Sequence, residues 1–246
     1  DDLMLVVQSG IALYDMEIKK QRMIKELIEL FYTTIKSIAD ALEAKDPYTH
    51  GHSLRVTVYS LILANNMVFN EEPCLEELET AGLLHDIGKI GISDNILCKN
   101  DKLTDEEFNI IKSHPEQGQK ILHSIKKLSC VSDWLKSHHE KWDGSGYPQG
   151  LKGTEIPIYS RIIAIADTYD AMTTSRSYRQ ALSHEQARDE IIKYSGTQFD
   201  PQIVEVFKKV EDIFRDAKED PNKYYMQYSI LQKFIGNNTS LNQKIY

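Results

Sequence analysis

The chain has 246 residues, of which 41% are apolar and 27% charged, and its formal net charge is -8 at pH 7. This profile belongs to a globular protein and excludes a disordered one. No apolar run approaches the ~20 residues of a membrane span, and the acidic balance excludes tracking along a polynucleotide, which needs a basic stripe.

Glycine and proline are scarce and the apolar spacing is mostly helical, so the expected fold is all-α. The chain opens on Asp1 rather than Met, without a signal-peptide pattern, and is expected to be a fragment of a longer polypeptide. Ile24, Ile28, Phe31, Ile35, Ile38 and Leu42 follow alternating steps of four and three, the a/d seam of a coiled coil. An earlier set, Val7, Ile11, Tyr14 and Ile18, repeats the steps out of phase, with the break at the charged residues 19–22. A homodimer paired through this seam is the expectation, and packing of the helix onto its own domain is the competing reading.

Further helices are expected over residues 53–68, 74–86, 104–113, 115–126, 158–173 and 183–195. Pro115 fits a first helical turn and biases His114 away from helical geometry, towards a junction. Residues 141–157, rich in glycine, form a structured loop. Three units are expected: residues 1–45 as an N-terminal signalling helix, 46–215 as the main domain and 216–246 as a C-terminal helical tail. Cys74, Cys98 and Cys130 form no Cys-x-x-Cys pair, which fits a reducing cytoplasm.

Seven residues have the spacing of one buried polynuclear site: His52, the adjacent His85 and Asp86, His114, the adjacent His138 and His139, and Asp167. Imidazole and carboxylate suit iron, manganese, zinc and nickel alike. Two metals sharing one carboxylate are a common way to hydrolyse a phosphodiester, because they acidify bound water towards ~7 from 15.7 and neutralise phosphate oxygens. His85 and Asp86 follow the apolar run Ala81-Gly82-Leu83-Leu84, so both are expected to be buried and to need a partner. Lys89, four residues after His85, can point to the same side as a phosphate clamp; a solvated lysine is the ordinary alternative. His123 and His184 read as structural or exposed.

Three blocks carry a resemblance: Asp46-Pro47-Tyr48-Thr49-His50-Gly51-His52-Ser53-Leu54-Arg55-Val56, Leu83-Leu84-His85-Asp86-Ile87-Gly88-Lys89-Ile90-Gly91, and His138-His139-Glu140-Lys141-Trp142-Asp143-Gly144-Ser145-Gly146-Tyr147-Pro148. With Ser113-His114-Pro115-Glu116, Ala166-Asp167-Thr168-Tyr169-Asp170 and Arg176-Ser177-Tyr178-Arg179, they make residues 40 to 215 resemble the HD-GYP family, a branch of the HD metal-dependent phosphohydrolases. The resemblance implies an HD-type helical bundle in which His52, His85, Asp86 and Asp167 form the basic metal site. His114, His138 and His139 then build a second, with Asp86 as bridge. It also implies two divalent transition-metal ions, iron or manganese foremost, with zinc or nickel accepted. A few members hold a third metal through a glutamate at the position of Tyr48, where only Asp46 or His50 could substitute.

The implied substrate is cyclic di-GMP, hydrolysed to linear pGpG and in many members onward to GMP; some members open cyclic GMP-AMP. Asp86 and Lys89 are the expected catalytic groups. In the loop, Gly146 lets backbone approach a ligand and Tyr147 offers a stacking face. Arg176 and Arg179 are placed to neutralise phosphate or stack on guanine. Asp170, one turn after Asp167, could accept from a guanine edge or remain a surface carboxylate. Contacts with diguanylate cyclases are implied for the family, so a non-catalytic receptor is one alternative, and a nucleotidase with only the basic site is another. The segment Leu5-Val6-Val7-Gln8-Ser9-Gly10-Ile11-Ala12-Leu13-Tyr14 resembles the last helix of a GAF-type sensor domain.

Overall fold

The computed structural model describes residues 2–45, 51–69, 71–99, 101–175 and 180–229. Among them the secondary structure is helical, apart from a single bridge between Ser195 and Phe199. In chain order the helices are α1 (Asp2–Lys45), α2 (His52–Asn65), α3 (Leu75–Leu84), α4 (Asp94–Leu97), α5 (Asp105–Ile111), α6 (His114–His123), α7 (Ser129–Ser137), α8 (Ile158–Thr173), α9 (His184–Lys193), α10 (Pro201–Glu219) and α11 (Pro221–Tyr228). A 3-10 turn, Ile87–Gly91, follows α3. No described helix is long and apolar enough to cross a membrane.

Helix α2 is the axis of the bundle. Val56, Val58, Tyr59, Leu61, Ile62 and Leu63 are all buried, and a helix apolar on every side has to be surrounded. Helices α3, α8, α10 and α11 surround it. Its Tyr59 stacks on Phe214 of α10 at 4.6 Å between centroids and meets Tyr169 of α8 edge-on at 5.1 Å. The capping sequences set several starts: Thr104 with Glu107 for α5, Ser183 with Gln186 for α9, and Asp200 before Pro201 for α10.

The helix spans expected from the sequence leave out α4, α7 and most of α10, whereas α11 falls within the expected C-terminal helical tail. Helix α10 buries Ile203, Val204, Phe207, Val210, Phe214 and Ala217 at helical spacing, and it runs through the expected boundary between residues 215 and 216. Tyr225 of α11 is also buried, so the described part of the expected tail, residues 216–229, packs into the main core.

The stripe on α1 divides. Tyr32, Ile35, Ala39 and Leu42 are buried and Ile28 is partly so, where α1 meets α3 and the 3-10 turn. Ile24, Phe31 and Ile38 stay 37%, 43% and 42% exposed. The expectation that Ile28, Ile35 and Leu42 face a second chain is therefore corrected: these three cover the chain's own domain. The period records an apolar face without recording what covers it.

Candidate metal centre

One local device fixes three of the imidazoles. The last carbonyls of a helix lack an intrahelical donor. His85 meets the Gly82 carbonyl at the end of α3 (2.8 Å), His114 the Ile111 carbonyl at the end of α5 (2.8 Å), and His138 the Leu135 carbonyl at the end of α7 (2.5 Å), each through Nδ1. A carbonyl only accepts, so Nδ1 carries the proton and Nε2 keeps its lone pair. In His52 the same task falls to Asp170, whose Oδ2 lies 2.7 Å from Nδ1. His114 is the first residue of α6 with Pro115 after it. It lies at a junction, as expected, but within the helix rather than outside it. The 3-10 turn approaches α6 so closely that a side chain at Gly88 would run into the His114 carbonyl, which sets Asp86 beside His114.

The free nitrogens converge. His52 Nε2 lies 3.2 Å from His85 Nε2 and 3.4 Å from Asp167 Oδ1, and His114 Nε2 lies 3.4 Å from His138 Nε2. Ligand atoms of His52, His85 and Asp167 lie within 4.8 Å of one another, as do those of His114, His138 and His139. Asp86 stands between the two trios. Its Oδ2 is 3.5 Å from His85 Nε2 and 3.9 Å from His52 Nε2, while its Oδ1 is 3.2 Å from His114 Nε2. Buried lone pairs that face one another repel unless a cation lies among them. The seven residues thus fit two divalent ions sharing one carboxylate.

At His114, His138, His139 and Asp86 the electrostatics agree with that fit. Burial holds His114 below the usual histidine range, and His138 and His139 well below it, so the trio is neutral, the form that ligates. Burial opposes ionisation of Asp86, but Lys89, His85, His114 and His52 outweigh it and hold the carboxyl well below its ordinary range. His52 is also buried, yet Asp170, Asp167 and Asp86 together raise it.

Lys89 donates to Asp86 Oδ2 at 2.6 Å from the 3-10 turn. The expected helix over residues 74–86 ends at Leu84, so Lys89 reaches the site from i+3 of Asp86 and not along one α-helical face from His85. Tyr147 stacks on His139 with centroids 5.0 Å apart, its hydroxyl pushed up by burial. Lys112 lies 5.5 Å above the same ring and 4.7 Å from that of Phe108. Gly146 is required by the chain itself: a Cβ there would lie 2.5 Å from Glu140 Cα. Asp170 is corrected. It is 1% exposed, and besides His52 it accepts from Arg55 Nε at 2.6 Å and Nη2 at 3.0 Å, leaving no carboxylate edge for a guanine.

Sequence reasoning missed Arg55 and Glu140 as supports. Glu140 is buried beside His138 and His139, and its Oε1 accepts from the Gln149 and Gly150 amides at 2.6 and 3.1 Å, closing the loop. Adjacency to the ligands was the available signal in both cases. Arg176 and Arg179, with Asp46, Tyr48 and His50, lie outside the described residues.

The family model described as HD domain matches residues 36–203. The chain belongs to the HD-domain family. A probable cyclic di-GMP phosphodiesterase of Vibrio cholerae is 37% identical over 209 residues, covering 79% of this chain and 47% of the relative. A cyclic di-GMP phosphodiesterase of Thermotoga maritima is 38% identical over 218 residues, covering 86% and 59%. The HD-domain chain thus spans about half the length of these relatives. A solved structure of a cyclic GMP-AMP specific phosphodiesterase of Vibrio cholerae superposes with a TM-score of 0.56 at 21% identity, over 82% of this chain and 52% of that one. That likeness establishes a shared HD-domain fold.

Proposed function

We propose that this HD domain is a metal-dependent phosphodiesterase of the HD-GYP branch that opens cyclic di-GMP to linear pGpG, with GMP as a later product. The observation that carries the reading is Asp86, which turns one carboxylate oxygen to each of two ligand trios. His52, His85 and Asp167 would hold one ion and His114, His138 and His139 the other, with iron or manganese the best match to this ligand set. When bound, the pair supplies Lewis-acid stabilisation of the phosphate and an acidified water.

The chain's own groups supply orientation and charge. Lys89, already beside Asp86, brings a cation to the edge of the centre where phosphate oxygens gather charge. Tyr147 presents a ring, fixed by His139, on which a base can stack. Arg176 and Arg179 complete the phosphate contacts. We also infer a homodimer: Ile24, Phe31 and Ile38 leave an apolar line on α1 that a second copy can cover.

The test is chromatography of products after the purified chain, reconstituted with iron or manganese, is mixed with cyclic di-GMP, and separately with cyclic GMP-AMP. Appearance of pGpG supports the reading. A fully metallated chain that binds cyclic di-GMP without opening it would make this HD domain a receptor.

A further inference from the structure

Two side chains in the last turn of α1 reach the segments that carry His52 and the His85/Asp86 pair, and neither belongs to the ligand set. Helix α2 begins at His52 behind Gly51, which has no side chain to cap it, and α2 has no acidic residue in its first turn. Glu43 caps it from α1. Its Oε2 accepts from the Gly51 amide at 2.6 Å and its Oε1 from the Ser53 amide at 2.8 Å, so one carboxylate holds the N–H groups on either side of His52. The start of a helix leaves N–H groups without acceptors and favours negative charge.

Two residues on, Lys45 makes the complementary contact. Its Nζ donates to the carbonyls of Ile92 at 2.5 Å, Ile90 at 3.1 Å and Lys89 at 3.4 Å, and pairs with Asp94 at 3.4 Å. Those carbonyls close the far end of the 3-10 turn that begins directly after Asp86. The carboxylate meets a helix start and the ammonium meets a turn's end, so each charge suits its target and neither could replace the other. Between the gripped segments, His52 and His85 face each other at 3.2 Å. Ile35, Ala39 and Leu42 pack the same stretch of α1 on the domain, so the helix cannot slide without moving both grips.

We propose that Glu43 and Lys45 are positioning residues that together set the spacing between His52 and the His85/Asp86 pair, making the last turn of α1 the element through which a displacement of that helix alters the metal centre. The proposal rests on the two-metal reading above.

The test uses the full chain with Glu43→Gln, Lys45→Met or Lys45→Arg. Amide hydrogen exchange is followed in the metal-free protein, manganese affinity by titration, and hydrolysis of cyclic di-GMP in the loaded protein. Exchange should quicken over residues 51–56 in Glu43→Gln and over residues 87–93 in Lys45→Met. Supporting groups around metal ligands change affinity by about 10- to 100-fold, so manganese should bind at least about tenfold more weakly in both. In the loaded protein kcat should fall while KM stays within about twofold. Lys45→Arg should recover most of both. Unchanged exchange and unchanged manganese affinity in Glu43→Gln and Lys45→Met would overturn the proposal, as would a loss confined to KM. If the unaltered chain opens no cyclic dinucleotide, the proposed function fails, while exchange and manganese affinity still decide this inference.

Discussion

Replacing Asp170 separates an orienting role from a substrate contact. The carboxylate is 1% exposed, and it takes three hydrogen bonds from two groups: one from His52 and two from Arg55, whose side chain is only 13% exposed. Removing one partner of a buried ion pair costs about 3–5 kcal/mol, because the other charge is left without compensation. Asp170→Asn keeps the shape and one acceptor, so it should sit near the lower figure, with Asp170→Ala near the upper. Against a typical stability of about 5–15 kcal/mol, the Asn variant should still fold.

Urea unfolding of the chelated protein measures that loss. Manganese titration should show binding weakened by about 10- to 100-fold, as for other groups that orient ligands. The pH dependence adds a signature. Burial alone would raise the Asp170 carboxyl, but hydrogen bonds from His52 and Arg55 outweigh it and lower its pKa. A lowered folded-state value gives stability that is full above the unfolded value of about 3.9 and is lost as pH falls through the folded one. The stability gap between the unaltered chain and Asp170→Asn should therefore close in that acid window. An Asp170→Asn variant with unaltered unfolding and metal affinity but a raised KM would refute the reasoning and return Asp170 to the substrate.

Gly146→Ala should force the loop away from Glu140 at about 1–3 kcal/mol, the usual cost of overpacking, and thermal melting should record about 2–4 °C for each of those; an unchanged midpoint would mean the loop yields freely. Arg179→Ala and Arg176→Ala should each raise KM for cyclic di-GMP roughly tenfold or more, since a charge-assisted contact contributes about 1.5–3 kcal/mol. Unchanged kinetics in both would remove the two arginines from the site. Light scattering at micromolar concentration should report a dimer that Phe31→Asp with Ile38→Asp converts to a folded monomer, whereas a monomeric parent chain would reject the pairing of α1.

The gathering of these side chains was legible because His85 and Asp86 close an apolar run, where burial would be costly without a partner, and because the blocks around His52, His114, His138, His139 and Asp167 resemble the motifs of one family. What surrounds the ligands was not. Asp170 finds Arg55 across 115 residues of chain, and a sequence read alone shows only that a carboxylate follows Asp167 by one turn. Gly146 announced a close approach but not its object, which is the backbone of Glu140. The α1 stripe was real, yet Ile35 and Leu42 serve the domain while Phe31 and Ile38 stay exposed. Helix α10 carries a regular apolar face from Ile203 to Ala217 that the reading passed over. Helix α7 is short, with only Val131, Trp134 and Leu135 as large buried residues, too few to declare a period.

The most direct test of the two-metal centre is elemental analysis of the reconstituted chain beside Asp86→Ala. The shared carboxylate predicts two transition-metal ions per chain in the parent and loss of most of both in the variant, with the helical content retained. One ion per saturated parent chain, or a full complement in Asp86→Ala, would contradict the account.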